Sequence, residues 1–447
     1  MPEPIDVLSS LGRHILVDGY DFVLDLEKSS GTTLVEARSG EEYLDLFTFF
    51  SSLPLGMNHG GLAQDESFLA KLGRAALHKV SNHDMYTVEY AEFVDTFARV
   101  LGDPELPHLF FIDGGALAVE NALKVAFDWK AQRPSAPADG GQLMALHLTR
   151  AFHGRSGYTM SMTNTDPTKT LHYPQFEWPR LTTPEQRFPE DRWKAENRRA
   201  DEEALREART LMEEAGGRIA CFIAEPILGE GGDIHLSADF LRGMQELCRE
   251  FDALFVVDEV QTGCGATGTA WAYQQLDLQP DAVAFGKKTQ VCGVMAGRRV
   301  DLVESNVFAV PSRISSTWGG NLADMVRGTR ILEIIEKDGL VPAAAAHGAV
   351  LLDLLRDLER RHPDLVTNAR GRGLMAAIDL PDGTLRDEVV ERLRSEERVM
   401  ALPSGNRTLR FRPPLTITVH ELTTAVGAID RVLSTIHEHT TRIQEEA

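Results

Sequence analysis

Two short apolar runs in this chain end abruptly in ionisable residues. Ala253-Leu-Phe-Val-Val-Asp-Glu-Val-Gln261 delivers Asp258 and Glu259, and Ala282-Val-Ala-Phe-Gly-Lys-Lys288 delivers Lys287 and Lys288. A strand buried on both faces reads as such a run, and open α/β sheets bind ligands beyond the carboxyl ends of their strands. An acid and an amine brought there by neighbouring strands suit a pyridoxal phosphate site. The lysine would form the Schiff base, and the aspartate would pair with the pyridinium nitrogen. Singly, each ending has a plainer reading: an Asp at a strand end commonly caps a turn, and a Lys pair after Gly commonly lies in a solvated loop. Their conjunction points to the cofactor.

Two further segments fit the same chemistry. Gly114-Gly-Ala-Leu-Ala-Val-Glu-Asn121 falls between an apolar strand and a helical pattern, where glycines let backbone N–H groups approach an anion and the helix dipole favours it. Phe152, ahead of His153-Gly-Arg155, offers an aromatic face to a planar ring.

The elements that must position these residues alternate. Leu109–Ile112 reads as a strand, Ala116–Lys130 as a helix and Leu143–Leu148 as a strand. Asn164–Trp193, rich in Pro, Thr and aromatics, reads as a long irregular excursion, and Asp201–Glu214 as a polar surface helix. Strands at Ile219–Ala224, Leu254–Val257 and Val283–Phe285 follow, alternating with helices, which is the signature of an α/β fold. Ile15–Phe50 suggests short strands and hairpins. Beyond Asn321 a long helical pattern runs through Met325–Lys337 and on past Val350, and Gly371–Leu380 and Val399–Phe411 read as strands. A last helix opens at Thr418-Val-His-Glu421 with capping-box spacing. The expected organisation is a large domain over 76–329 with a mostly parallel central sheet, and a smaller α+β domain over 330–447 that the N-terminal segment 1–75 joins.

Composition sets bounds. The 447 residues are enough for roughly two to three domains. A net charge of −21 argues against nucleic acid and anionic membranes as partners, though local arginines can still bind an anionic substrate. No stretch reaches the ~18 apolar residues of a spanning helix, and the first residues lack the pattern of a signal peptide. Four cysteines, Cys221, Cys248, Cys264 and Cys292, form neither a disulfide framework nor a zinc pattern. A cytoplasmic protein without a metal site is expected.

Taken in order, the motifs resemble those of the class III (omega) aminotransferases, pyridoxal phosphate enzymes of fold type I. The likeness runs along nearly the whole chain. It includes Tyr43-Leu-Asp-Leu, Gly114-Gly-Ala, Ala151-Phe-His-Gly-Arg, Ala224-Glu-Pro-Ile-Leu-Gly-Glu-Gly-Gly, Val257-Asp-Glu-Val-Gln-Thr-Gly, Phe285-Gly-Lys, Ser316-Thr-Trp-Gly-Gly-Asn and Arg410-Phe-Arg-Pro-Pro. The resemblance implies pyridoxal 5′-phosphate as cofactor and Lys287 as the Schiff-base lysine, with Lys288 a bystander. Asp258 is implied as the pyridinium partner and Gln261 as the donor to the ring hydroxyl. Phe152 is implied to stack on the ring, and Gly115 and Ala116 to offer backbone donors to the phosphate. Thr317 is implied to reach the phosphate of the other subunit, hence a homodimer with shared active sites. Glu225 is given a supporting role.

Within the family the likeness runs to the branch that takes the terminal amine of L-lysine, on Phe285-Gly-Lys-Lys-Thr-Gln-Val-Cys-Gly-Val-Met295 and Leu16-Val-Asp-Gly-Tyr-Asp. The implied reaction passes that amine to 2-oxoglutarate, giving L-glutamate and 2-aminoadipate 6-semialdehyde. Arg155 and Arg410 are the implied carboxylate binders, since a guanidinium pairs bidentately with a carboxylate, and Glu230 is the implied partner of Arg410. An ornithine or 4-aminobutyrate aminotransferase is the alternative. Phe50, where ornithine enzymes carry a tyrosine, counts against ornithine, and Ser315 stands where an asparagine is expected in the lysine branch. A catalytically silent cofactor-binding regulator would lack the lysine or the arginines, and all are present. The motifs do not distinguish lysine breakdown from antibiotic biosynthesis.

Overall fold

The computed structural model describes residues 3–446. Its centre is a seven-stranded sheet built from β1 (His108–Ile112), β2 (Met144–Leu148), β3 (Arg180–Leu181), β4 (Ile219–Ala224), β5 (Leu254–Asp258), β6 (Ala282–Phe285) and β7 (Cys292–Ala296). The spatial order is β1-β7-β6-β5-β4-β2-β3. Only β7 runs against its neighbours β6 and β1, so the other strands share one direction and their carboxyl ends share one edge.

Alternation along the strands assigns the two faces. Leu254, Val256, Ala282 and Ala284 face the helix α1 (Gly115–Ala131), packing on Val119, Leu123 and Trp129. Phe255, Val257, Val283 and Phe285 face the other way, into the core that includes Phe240 and Met244 of helix Ala238–Glu250. The inner strands are buried along their whole length, which is why they read as continuous apolar runs.

A second sheet of four antiparallel strands, β8 (Thr367–Arg372), β9 (Met375–Asp379), β10 (Leu402–Ser404) and β11 (Thr408–Phe411), is ordered β8-β9-β11-β10. The N-terminal hairpin Thr33–Val35/Glu42–Asp45 reaches this end of the chain, where Glu42–Asp45 pairs in parallel with Val399–Met400. Helix Val419–Glu446 opens with the capping box read from the sequence. Thr418 N donates to Glu421 Oε2 at 2.7 Å and Glu421 N to Thr418 Oγ1 at 3.2 Å.

Several expectations are revised. β7 is not announced by the sequence, because Cys-Gly-Val-Met-Ala has an interior glycine and a single β-branched residue. The helical stretch beyond Asn321 is two helices, Leu322–Lys337 and Leu340–Arg361, bent by 66° at Gly339, whose φ of 62° lies in the left-handed region. Val399–Phe411 is three short strands, not one. The irregular excursion supplies the edge strand β3 and the single turn Pro167–Lys169. No single helix among the described residues is long and apolar enough to cross a membrane.

The turn between β8 and β9 is clamped from both sides. Leu374 N donates to Ala266 O at 2.9 Å, and a Cβ at position 348 would lie 2.2 Å from the Gly373 carbonyl. Gly348→Ala therefore forces the helix Leu340–Arg361 off this turn, at a cost of about 1–3 kcal/mol. A lowered Tm is expected, and an unchanged one would show that the contact yields freely.

Candidate active site

The carboxyl ends of β1, β2, β4, β5 and β6 open onto a cavity of about 570 Å³, lined by Gly115, Ala116, Phe152, Arg155, Glu230, Asp258, Gln261 and Lys287 among others. Asp258 ends β5. Its Oδ2 accepts from His153 Nδ1 at 2.7 Å and its Oδ1 from Val260 N at 3.0 Å. Burial alone would push the His153 ring down, but the hydrogen bond and charge of Asp258 carry it up. Glu225 stands behind this pair, accepting from Phe152 N at 3.0 Å and from Gly229 N at 3.2 Å, and burial raises its carboxyl. Glu259 turns the opposite way, as the next residue of an extended chain must. It is buried in the core, where it accepts from Tyr273 N at 2.8 Å and takes no part in the cavity.

Lys287 follows Gly286 at the end of β6 and has a φ of 55°, unfavourable for a side-chain-bearing residue. Burial, then the nearby Arg410, lowers its amine to about 8. Lys288 is not a solvated bystander: it is 3% exposed, and its Nζ donates to Gln261 O at 2.7 Å. The second lysine thus holds the backbone of the loop that follows Asp258. Gln261 is also held by its side chain, Oε1 accepting from Arg412 Nε at 3.0 Å. The amide NH₂ is left as the end that faces a ligand.

Gly115 and Ala116 open α1. The first intrahelical bond runs from Ala118 N to Gly114 O, so the N–H groups before it have no acceptor within the helix, the arrangement that binds phosphate. A Cβ at Gly115 would lie 2.9 Å from Val260 Cγ1, so a larger residue there would have to displace the Val260 side chain. The donor set, the buried acid and the low-pKa amine fit pyridoxal phosphate.

The arginines sit in two different states. Arg410, 1% exposed on β11, donates from Nη1 to Gly229 O at 2.5 Å and from Nη2 to Glu230 Oε1 at 2.6 Å. Glu230 is held ionised at about 2, Arg410 overcoming the effect of burial, and Lys169 Nζ lies 3.4 Å from its Oε2. Arg412, two residues on, forms a wholly buried bridge with Asp233. Arg155 is exposed in the cavity wall, with no ion pair among the described residues. Thr317 is exposed and lies outside this chain's cavity.

Sequence reasoning passed over His153, Lys169, Arg412, Asp233 and Phe49. His153 and Arg412 stood inside motifs already singled out, Ala151-Phe-His-Gly-Arg and Arg410-Phe-Arg. Lys169 had no signal, being in the excursion. Phe49 and Phe50 line the cavity from a left-handed turn, with φ running from 40° at Thr48 to 71° at Ser51. Each such residue costs roughly 1–2 kcal/mol. Asp45 holds the turn by accepting from Phe47 N and Thr48 N, each at 2.8 Å, while Thr48 Oγ1 donates to Arg412 O at 2.6 Å.

A mixed sheet that brings a lysine and an aspartate to its carboxyl edge is the architecture of a fold type I pyridoxal phosphate enzyme. The family model for class-III aminotransferases matches residues 16–433, and the chain belongs to that family. It is 60% identical over 429 residues to the L-lysine-epsilon aminotransferase of Amycolatopsis lactamdurans, covering 96% of this chain and 95% of that protein. It is 59% identical to the enzyme of the same name from Streptomyces clavuligerus over 434 residues, 97% of this chain and 95% of that one. A solved lysine aminotransferase from M. tuberculosis superposes with a TM-score of 0.95 at 56% identity, covering 97% of this chain and 100% of that one.

A lysine captures pyridoxal phosphate only as its neutral amine. Uptake of pyridoxal phosphate by the apoenzyme, followed by its absorbance, should accelerate as pH rises through about 8 and then level off. A midpoint near the 10.5 of a free lysine would mean that the side chain is solvated.

Proposed function

We propose that this enzyme transfers the terminal (ε) amino group of L-lysine to 2-oxoglutarate. The products are L-glutamate and 2-aminoadipate 6-semialdehyde, which cyclises to piperideine-6-carboxylate. The observation that carries this reading is the covering of Arg410 by Glu230 while Arg155 stands uncovered in the same cavity. A carboxylate entering with lysine then meets one available guanidinium, Arg155, which directs the far end of the substrate, its ε-amine, to Lys287. A dicarboxylate must bring a second carboxylate to Arg410 and displace Glu230. Phe50 in the cavity wall offers no hydroxyl to an α-amino group, which disfavours ornithine.

When bound, pyridoxal phosphate supplies the electron-withdrawing ring that carries the amino group between the two substrates. The chain supplies the rest. Gly115 N–H and Ala116 N–H would hold the phosphate, Phe152 would cover one face of the ring and Gln261 would donate to its hydroxyl. Asp258, fixed by His153 and Val260 N–H, would place a carboxylate at the ring nitrogen. Lys287 Nζ, its pKa lowered by burial to about 8, would take the proton from the amine-bearing carbon as base and return one as acid.

The same reading includes a homodimer with shared sites, in which Thr317 serves the partner's phosphate. Leu77, Met85, Tyr86 and Val88 are 73–80% exposed, and their segment is tied to that of Thr317 by Asn82 Nδ2 donating to Gly320 O and Ser316 N donating to His83 Nδ1. So large an apolar surface suits burial against a second copy. We also divide the chain into a large domain over 76–329 and a small domain over 330–447 joined by 1–75, in keeping with the pairing of Glu42–Asp45 with Val399–Met400. A cytoplasmic location accords with four free, buried cysteines.

Incubation with lysine and 2-oxoglutarate should yield glutamate and a trappable cyclic imine. Turnover of ornithine or 4-aminobutyrate without turnover of lysine would replace the substrate. Asp258→Asn should retain bound cofactor yet slow turnover by about a thousandfold, equivalent to about 4 kcal/mol of barrier. A rate near wild type would move the ring-nitrogen partner elsewhere. In separate stopped-flow half-reactions, Arg410→Ala should cripple the 2-oxoglutarate half and largely spare the lysine half, whereas Arg155→Ala should harm both. Glu230→Ala should slow the lysine half and admit α-amino donors. Equal losses in both halves for Glu230→Ala would remove its covering role.

A further inference from the structure

We propose that Lys169 is a positioning residue that receives Glu230 when Glu230 leaves Arg410. The site would then exchange one ion pair for another instead of breaking one. This rests on the reading of Glu230 as a movable cover.

The carboxylate of Glu230 is already divided between two cations. Oε1 lies 2.6 Å from Arg410 Nη2, and Oε2 lies 3.4 Å from Lys169 Nζ. The three side chains grade outward, with 2% exposure at Arg410, 23% at Glu230 and 26% at Lys169. A carboxylate only 23% exposed is partly stripped of water, so releasing it unpaired carries a desolvation cost. An entering carboxylate that claims Arg410 therefore needs another cation to take Glu230, and Lys169 is in place.

Its mounting suits the task. The turn Pro167–Lys169 is pinned by Asp166 Oδ1 accepting from Thr168 N at 2.9 Å and by Asp166 O accepting from Lys169 N at 3.1 Å, so the backbone is held. The stem is four flexible carbons ending in a point charge with rotatable donors, free to follow a moving carboxylate as a guanidinium fork is not. Its ammonium lies 5.1 Å from the centroid of the Phe152 ring, and Glu230 is its one ion-pair partner among the described residues. Arg412 and Asp233 make the contrast: both ends of that bridge are buried, 1% and 0% exposed, so neither side chain opens onto the cavity.

The test is a double-mutant cycle with Lys169→Met and Glu230→Gln in the holoenzyme, read two ways. One readout is calorimetric binding of glutarate, a dicarboxylate with no keto group to react. The other is the pair of stopped-flow half-reactions. Lys169→Met should weaken glutarate about tenfold and slow the 2-oxoglutarate half-reaction by a similar factor, a coupling of ordinary size. The lysine half-reaction should lose about fivefold less, and Lys169→Arg should restore only part of the glutarate affinity, since it keeps the charge but not the rotatable point donor. With Glu230→Gln in place, Lys169→Met should cost less than about twofold, because the two residues act as one unit. A penalty that persists in that background means Lys169 meets the dicarboxylate directly and overturns the proposal, as do equal losses in both half-reactions. If Glu230→Gln itself changes both halves equally, the cover fails and the anchor with it. If Glu230→Gln separates the halves and Lys169→Met does not, the anchor alone fails.

Discussion

Asp258 is 4% exposed at the end of a strand buried on both faces, and an ionised carboxylate there survives only if it is paired. His153 Nδ1 at 2.7 Å and the N–H of Val260 supply that pairing, and much of the surrounding architecture follows from it. The parallel run of β4, β5 and β6 brings Glu225, Asp258 and Lys287 to one edge, while the segment after β2 brings Phe152 and His153 over it. Burial that is costly for Asp258 is useful for Lys287, because the same low-polarity surroundings lower the amine to about 8. One edge thus gives a buried acid two hydrogen-bond donors and lowers the pKa of the amine beside it.

The arginines two residues apart near β11 extend this logic. Side chains i and i+2 leave an extended chain on the same side, so Arg410 and Arg412 both reach toward the large sheet. Arg412 meets Asp233 and Gln261, all buried, and removing one end of such a pair typically costs about 3–5 kcal/mol. It is scaffold: it orients the Gln261 amide and, through its carbonyl, holds Thr48. Arg410 meets a partner that is partly open to the cavity. Identical residue types on one stretch thus differ in function through the exposure of their carboxylates.

Strain is concentrated around the same cavity. Thr48–Ser51 and Lys287 have positive φ without being glycine, and the surrounding hydrogen bonds from Asp45, Arg412 and Gln290 hold those segments. Backbone held in unfavourable regions beside a functional cavity is a common form of pre-organisation. Here it sets where two phenylalanines and the lysine project.

The sequence by itself determined the class of fold and the placement of Asp258 and Lys287 at one sheet edge. A strand buried on both faces must be apolar throughout, so where such a run stops at Asp258 or Lys287 the polarity change marks both the sheet edge and the site. The capping box at Thr418 and Glu421 was equally legible, because its bonds are local. What the sequence left undecided are the features made by contacts between distant segments. Lys288 reads as a solvated neighbour of Lys287, yet it is buried because the loop of Gln261 folds over it. β7 is hidden by its composition, since Gly293 interrupts it and only Val294 is β-branched. Lys169 lies in a stretch without periodicity, and its place beside Glu230 exists only once the excursion returns to the cavity. Which arginine meets a wholly buried carboxylate and which a partly exposed one depends on the packing of Asp233 and Glu230, a property of the packed whole that no local spacing records.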